Sequence, residues 1–310
     1  MKIITDIDNI ERKDSVATIG FFDGMHAGHQ FLAGQVVRVA QEKGMDSMLI
    51  SFDRHPRQVM QADYRPQLLS PYREKCNLLQ QTQADKAVLL HFDLPMADLS
   101  AYDFMRCILR DRLQVRVLIV GYDHHFGKGA SDSFEDYVRY GKELGIEVMQ
   151  AEEYTGEGAH ISSSAVRRAL LRGDVDFATA ALLRFYSLQG EVVHGFHIGT
   201  GLGFPTANLK VGDVDKLVPA DGVYAVWVYL TDGTKWPGML NIGQRPTMNN
   251  GCEVSIEVHL IGFSGNLYCQ NVEVRFVKYL RPEQRFANKD ELVKQLQDDR
   301  TRVEKVLLNN

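Results

Sequence analysis

The spacing of apolar residues changes once along the chain, near Phe185, and that change limits the fold more than any other feature. Before it, short β-branched runs alternate with helical patterns. Val16–Phe21, Ser47–Phe52, Lys86–Phe92, Val115–Gly121 and Ile146–Ala151 read as buried strands. Gln30–Lys43, ended by Gly44, and Ala101–Leu113 and Ser133–Leu144 read as helices between them. Buried strands alternating with helices predict a doubly wound parallel sheet covered on both faces. After Tyr186 the period falls to two. Leu188–Val193, Val223–Leu230, Glu253–Leu260 and Val272–Leu280 are separated by turn signals at Asp221-Gly222, Asp232-Gly233, Asn249-Asn250-Gly251 and Ser264-Gly265-Asn266. That series predicts an antiparallel β-barrel, closed by a terminal helix over Lys289–Leu308. The expectation is an α/β chain of two abutting domains, 1–185 and 186–310.

Composition excludes several functions. The 310 residues carry 35 Lys and Arg against 40 Asp and Glu, a net charge of −5, so the basic footprint of a nucleic-acid binder is absent. No apolar run approaches a bilayer span, and the start MKIITDIDNI shows no secretory signal. Cys76, Cys107, Cys252 and Cys269 are too dispersed for a zinc site and are expected as reduced thiols in the cytoplasm. The expected partners are small molecules, with no nucleic acid, no membrane and no obligate protein partner.

Two segments of the first half carry chemistry. GFFDGMHAGHQ, residues 20–30, follows the first long strand and opens a helix, where a doubly wound sheet binds phosphates. It has no P-loop lysine but offers His26 and His29 around Gly28. Two imidazoles there can donate to the charge that grows on phosphorus and on a departing pyrophosphate. ISSSAVR, residues 161–167, starts a later helix, where Ser162 is a competent cap and the hydroxyls with Arg167 suit a polyphosphate. Surface histidines and plain helix capping are the bland alternatives.

The barrel half holds a second constellation. The stretch His194–Asn208 packs four glycines around a short apolar pair, and its end Pro205-Thr206-Ala207-Asn208 places a hydroxyl and an amide oxygen on one face of an extended segment. In Glu253–Leu260 the set Val254, Ile256, Val258 and Leu260 faces one way, and Ser255, Glu257 and His259 face the other. Glu257 is either a solvent-facing carboxylate or a general base, and His259 reads as structural. The stretch Asn241–Thr247 reads as a turn that shapes the same cleft.

The paired HxGH and ISSSAVR segments resemble the HxGH nucleotidyltransferases. With SFDRHP (residues 51–56), GFPTANL, DGVYAV, NIGQRPT, IEVHL and YLRPEQRF, nearly the whole chain is similar to the bacterial bifunctional riboflavin kinase/FMN adenylyltransferases, or FAD synthetases. The resemblance implies adenylyl transfer in the first domain and riboflavin phosphorylation in the second, with Mg²⁺ as cofactor. ATP, riboflavin, FMN and FAD would be substrates or products. It implies ATP contacts at Gly20, Phe22, His26, Gly28, His29, Asp123, Ser162, Ser163, Ser164 and Arg167, with His26 and His29 catalytic. In the kinase it implies ATP contacts at Gly201, Gly203, Thr206 and Asn208, Mg²⁺ at Thr206 and Asn208, and Glu257 as the base. Flavin contacts would fall at His55, Pro56, Arg281 and Phe286. The chain departs from the family pattern at Arg54, His124, His125 and Thr200. Two alternatives remain: an HxGH transferase with another phosphate acceptor, and a flavin- or nucleotide-sensing binding protein.

Overall fold

The computed structural model describes residues 1–61, 63–122, 125–156, 161–195, 200–246 and 252–308. They form two compact units, Met1–Ser163 and Ser164–Asn310.

The first unit is a six-stranded parallel sheet. Its strands are β1 (Lys2–Ile4), β2 (Ser15–Ile19), β3 (Asp46–Phe52), β4 (Lys86–Leu90), β5 (Val115–Val120) and β6 (Glu147–Gln150), in the order β1-β4-β3-β2-β5-β6. From β2 the chain steps outward through β3 and β4, then returns to place β5 on the other side of β2. The reversal leaves a crevice beyond the carboxyl ends of β2 and β5, the place where open α/β sheets bind ligands. Strand alternation makes two cores. Ala17, Ile19, Met48 and Ile50 pack on one face with Phe104, Met105 and Ile108. Val16, Leu49 and Leu89 pack on the other with Val36 and Ala40 of α1 (Ala27–Lys43) and Leu79.

The remaining helices of this unit are α2 (Pro56–Met60), α3 (Tyr72–Gln80), α4 (Leu94–Ala97), α5 (Ala101–Asp103) and α6 (Phe134–Leu144). Two differ from the sequence reading. Helix α1 starts three residues before Gln30, because the His26 side chain caps it and no Ser, Thr or Asp is needed. The helix expected over Ala101–Leu113 becomes α5 followed by a π-helix over Phe104–Arg110. The wider turn keeps Phe104, Met105, Ile108 and Leu109 all buried.

The second unit opens with α7 (Ser163–Leu170) and α8 (Val175–Leu182) and continues into the barrel. Strands β7 (Ser187–Val193), β8 (Ala207–Val211), β9 (Gly222–Leu230), β10 (Lys235–Pro246), β11 (Cys252–Leu260) and β12 (Asn271–Arg281) close in the order β10-β11-β8-β7-β12-β9. Every pair is antiparallel. Helix α9 covers Lys289–Leu308, as the apolar spacing predicts. The two compact units meet at Ser163/Ser164, ahead of the change of period near Phe185, because the intervening helices pack on the barrel. The Leu170 carbonyl accepts the Ala220 N–H at 3.0 Å, and Asp176 pairs with Lys278 at 2.7 Å. At Gly173, with φ of 80°, a Cβ would come within 2.9 Å of the Tyr279 ring.

Gly238 identifies the inside of the barrel. A Cβ there would come within 3.0 Å of Val226 and Val228 and 3.1 Å of Val258. The cross-strand partners Val223, Asn241 and Glu257 therefore lie on the outer face, as do Ala225, Met239 and His259. One expectation is corrected here. Asn241–Pro246 is the end of β10 and not a turn; Thr247 lies outside the described residues, as does the Asn249–Gly251 turn signal. Val254 shares the face of Ile256, Val258 and Leu260 by alternation, but it is 50% exposed whereas they are buried.

Candidate active sites

The first site lies where β2 ends at the crevice. Three successive departures from extended backbone aim the chain into α1: Phe22 at φ 53°, Gly24 at 78° and Met25 at 41°. Side chains at Phe22 and Met25 cost strain in the left-handed region, so the bend must be held. Asp23 holds it. Its carboxylate accepts the Leu69 N–H at 3.0 Å, the Ser70 N–H at 2.8 Å and the Ser70 hydroxyl at 3.2 Å, while the Gly24 N–H donates to Ser70 Oγ at 2.7 Å. The sequence reading missed Asp23 and Ser70, 47 positions apart. Only the Asp23-Gly24 turn pair hinted at them.

The bend puts both histidines at the start of α1. His26 is 6% exposed, and its ring stacks on that of His29 at 3.7 Å with 21° between planes. His26 Nδ1 accepts the His29 N–H at 3.4 Å, which places the proton of a neutral ring on Nε2. Gly28 leaves room beside this stack, since a Cβ there would sit 3.3 Å from the His26 ring. Phe22 meets His29 edge-on at 5.2 Å, and its ring lies 3.0 Å from where a Cβ on Gly20 would be. The Ser163 hydroxyl donates to the Asp23 carbonyl at 2.9 Å, which joins the two phosphate motifs. Ser162 is the residue before α7; Ser164 and Arg167 share one helix face, the first exposed and the second half-buried. Asp123 and His124 lie outside the described residues.

Beside this site, His55 caps α2 by accepting the Arg57 N–H at 3.1 Å, with Pro56 at the first helical position. Its ring meets Phe21 at 4.8 Å and Tyr64 at 5.4 Å. Arg54 reaches Asp53 at 3.6 Å, and His125 Nδ1 lies 3.0 Å from the Asp132 carbonyl.

The second site is on the outer face of the barrel. A cavity of about 330 Å³ is lined by the polar Thr206, Asn241, Glu257 and Glu283 and by the apolar Val223, Met239, Phe286 and Leu296, among others. The Thr206 hydroxyl donates to Glu257 Oε2 at 3.1 Å. Glu257 pairs across strands with Asn208 on one side and Asn241 on the other, so three polar residues form a row. Gly195 makes room for Asn208, whose amide would sit 2.0 Å from a Cβ there. Glu257 is half-buried and accepts the Thr206 hydroxyl within a cavity whose lining is partly apolar. His259 also lines the cavity, with Nδ1 2.8 Å from the Pro205 carbonyl.

Gly201 is the middle residue of a 3-10 turn (Thr200–Leu202), and Gly203 has φ of 82°. Gly199 lies outside the described residues. Arg281 lines the cavity, but its guanidinium is bound to buried Asp299 through Nε at 2.9 Å and Nη2 at 2.7 Å and to the Pro282 carbonyl through Nη1 at 3.0 Å. Phe286 lies 5.9 Å from that guanidinium. The sequence reading missed Glu283, whose Oε1 accepts the Asn241 amide at 2.9 Å. It also missed Met239, which presents no local signal beyond the strand. Among the described residues no cluster of three His, Cys, Asp or Glu could hold a metal ion, and no helix is long and apolar enough to cross a membrane.

Comparison with known proteins gives concordant matches. A family model for FAD synthetase matches residues 8–165, and one for riboflavin kinase matches residues 182–307. The bifunctional riboflavin kinase/FMN adenylyltransferase of Escherichia coli (strain K12) is 35% identical over 302 residues, covering 96% of each chain. That of Pseudomonas fluorescens is 36% identical over 294 residues, 94% of this chain and 93% of its own. A crystal structure described as a macrolide-efflux protein from Streptococcus pneumoniae matches with a TM-score of 0.87 at 29% identity, covering 97% of this chain and 98% of that one.

Proposed function

Since the chain belongs to the bifunctional riboflavin kinase/FMN adenylyltransferase family, and makes FMN from riboflavin and ATP and then FAD from FMN with release of pyrophosphate, we propose how its residues divide the work. Adenylyl transfer belongs to residues 1–185 and phosphorylation to residues 186–310. The observation that carries this division is that each family model covers one constellation, and that Thr206 and Glu257 meet inside one cavity of the barrel unit.

In the kinase, riboflavin places its ring against Val223, Met239 and Phe286 and its ribityl chain toward Glu257. Glu257 takes the proton from the terminal hydroxyl as that oxygen attacks the γ-phosphorus of ATP, the bond from that phosphorus to the β,γ-bridging oxygen breaks, and ADP leaves. The Thr206 hydroxyl fixes the carboxylate for this step. Thr206 and Asn208 supply hard oxygen donors, and the absence of a carboxylate cluster among the described residues fits an ion held mainly by substrate phosphates. They would hold Mg²⁺ beside ATP, where it neutralises phosphate charge. Gly201 and Gly203 offer backbone amides to the same phosphates.

In the transferase, the FMN phosphate attacks the α-phosphorus of ATP and pyrophosphate leaves. His26 Nε2 and His29 donate to the phosphate oxygens at the positive end of α1, beside Gly20, Phe22 and Gly28. Ser162, Ser163, Ser164 and Arg167 hold the polyphosphate, and Asp123 contributes to the nucleotide site. The aromatic group around His55 and Pro56 receives the flavin. The protein works in the cytoplasm on small molecules, without nucleic acid, membrane or an obligate protein partner.

Incubation with riboflavin, ATP and Mg²⁺, followed by chromatography of the flavins, tests the reading. FMN should appear before FAD, and a chelator should stop both. Flavin that is bound but never converted would replace the enzyme by a sensor.

A further inference from the structure

Lys75, on α3, is a buried charge that the chemistry above leaves unused. It is 1% exposed; its ammonium donates to the Phe52 carbonyl at 2.6 Å and lies 3.9 Å from the centre of the Phe21 ring. Buried lysines ordinarily come with a counter-charge, as Lys86 does with Asp46 at 2.7 Å. Among the described residues no carboxylate is at ion-pair distance from Lys75. Asp23, in the turn against which α3 packs, is occupied by Ser70 and the Leu69 N–H. Asp53, just beyond β3, is occupied by His91 and the Phe92 N–H. Cys76 shares the helix, and β1 brings only the exposed Lys2. One carbonyl and one ring face are thin replacement for water around a cation. The groups it touches belong to the phosphate crevice: Phe21 is the second residue of the Gly20–His29 loop, and Phe52 ends the neighbouring strand.

We propose that Lys75 is a positioning residue for adenylyl transfer, a cation fixed behind the Gly20–His29 loop whose counter-charge is the polyphosphate that arrives there. The inference rests on the reading that this loop receives ATP. Burial supports it, pushing the ammonium down to about 8 although Asp23, Cys76 and Asp53 all favour the charged form. Near pH 8 the free enzyme is then only partly protonated at Lys75. By linkage, an anion that favours the charged form must draw in the missing proton, and the proton must strengthen the anion's binding by the same factor.

The test follows the lysine side chains of the full-length protein by NMR after carbon-13 labelling at Cε. Spectra are taken across pH with and without Mg²⁺ and α,β-methylene-ATP, which cannot be cleaved at the bond that adenylyl transfer breaks. One lysine should titrate near 8, about two units below the others, and should vanish in Lys75→Met. Nucleotide should raise its midpoint by about one unit, with a roughly tenfold loss of affinity as pH rises through the same window. In Lys75→Met and Lys75→Gln that step should be gone; a purely structural role would weaken binding equally at every pH. Nucleotide that binds without moving the midpoint, or a step that survives in Lys75→Met, overturns the proposal. Should neither variant fold, the wild-type titration alone decides. A His26→Ala/His29→Ala chain separates the two readings: if nucleotide still binds it at two sites with parental affinity, the loop is not the ATP site.

Discussion

Replacing Asp299 by Ala asks whether one buried ion pair holds the cover of the barrel cavity. Asp299 is fully buried at 0% exposure; it accepts Arg281 Nε and Nη2 at 2.9 and 2.7 Å and the Gln295 amide at 2.9 Å. Truncation removes the acceptors and leaves a guanidinium on a side chain only 14% exposed. Breaking such a pair from one side costs about 3–5 kcal/mol, most of it from the stranded charge. A unit of this size loses roughly 3 °C of melting midpoint per kcal/mol, so a fall of about 10 °C is expected by calorimetry. Function should split. Arg281 ends β12 and Asp299 lies on α9, so loosening them should raise the KM for riboflavin and spare FAD formation from FMN. The double variant Arg281→Leu/Asp299→Leu should recover most of the midpoint, because an apolar pair is tolerated beside Leu292 and Leu296. Recovered stability without recovered riboflavin affinity would assign Arg281 a direct flavin contact as well. A midpoint for Asp299→Ala within about 2 °C of the parent, where 3–5 kcal/mol was expected, would refute the reasoning.

Glu257→Gln should lower FMN formation by roughly 10²–10⁴ while FAD formation from supplied FMN persists, since the amide keeps the shape and loses the basicity. His29→Ala should do the opposite, accumulating FMN with FAD turnover down by roughly 10²–10³; unchanged turnover in either variant removes that residue from the chemistry. A fragment of residues 164–310 should fold and phosphorylate riboflavin, whereas 186–310 should melt lower, having lost α8 and the Asp176–Lys278 pair. Equal melting of the two would return the structural boundary to 185/186. Lys75 also makes stability depend on pH. Its proton affinity is lowered on folding, so the unfolded chain binds the proton between about 8 and 10.5 and the folded chain does not. Wild-type stability should therefore rise relative to Lys75→Met across that window, measured by urea unfolding.

The architecture was legible wherever burial follows a simple period. The change near Tyr186 separated sheet from barrel, and α9 was readable to the residue because its apolar set repeats at helical spacing. Strands β1 and β8 escaped notice because three and five residues carry too little pattern. Strand β10 was read in part as a turn for a physical reason. Its glycines break the β-branched signature, yet Gly238 must lack a Cβ to fit among Val226, Val228 and Val258. The compact units meet before the change of period because period describes local conformation, while α7 and α8 join the barrel through packing.

The sites show the same division more sharply. His26, His29 and the serines stand in contiguous motifs, but the clamp that shapes their loop joins Asp23 to Ser70 through tertiary structure alone. Lys75 lies in YREKCNLLQ, where a lysine reads as part of a solvated helix face, and only the return of Phe21 and Phe52 to the crevice buries it. Glu257 is the converse case. In its strand it alternates with the core and so reads as facing water, and it does point out of the barrel. Residues from Arg281 to Asp299, including Phe286, Leu292 and Leu296, enclose that outer face. A carboxylate that the strand alone would leave in solvent is thereby brought beside Thr206 in a partly apolar cavity. The environment of Glu257 therefore depends on what covers the outside of the barrel, and the terminal helix belongs to this cavity as much as the strand that bears Glu257.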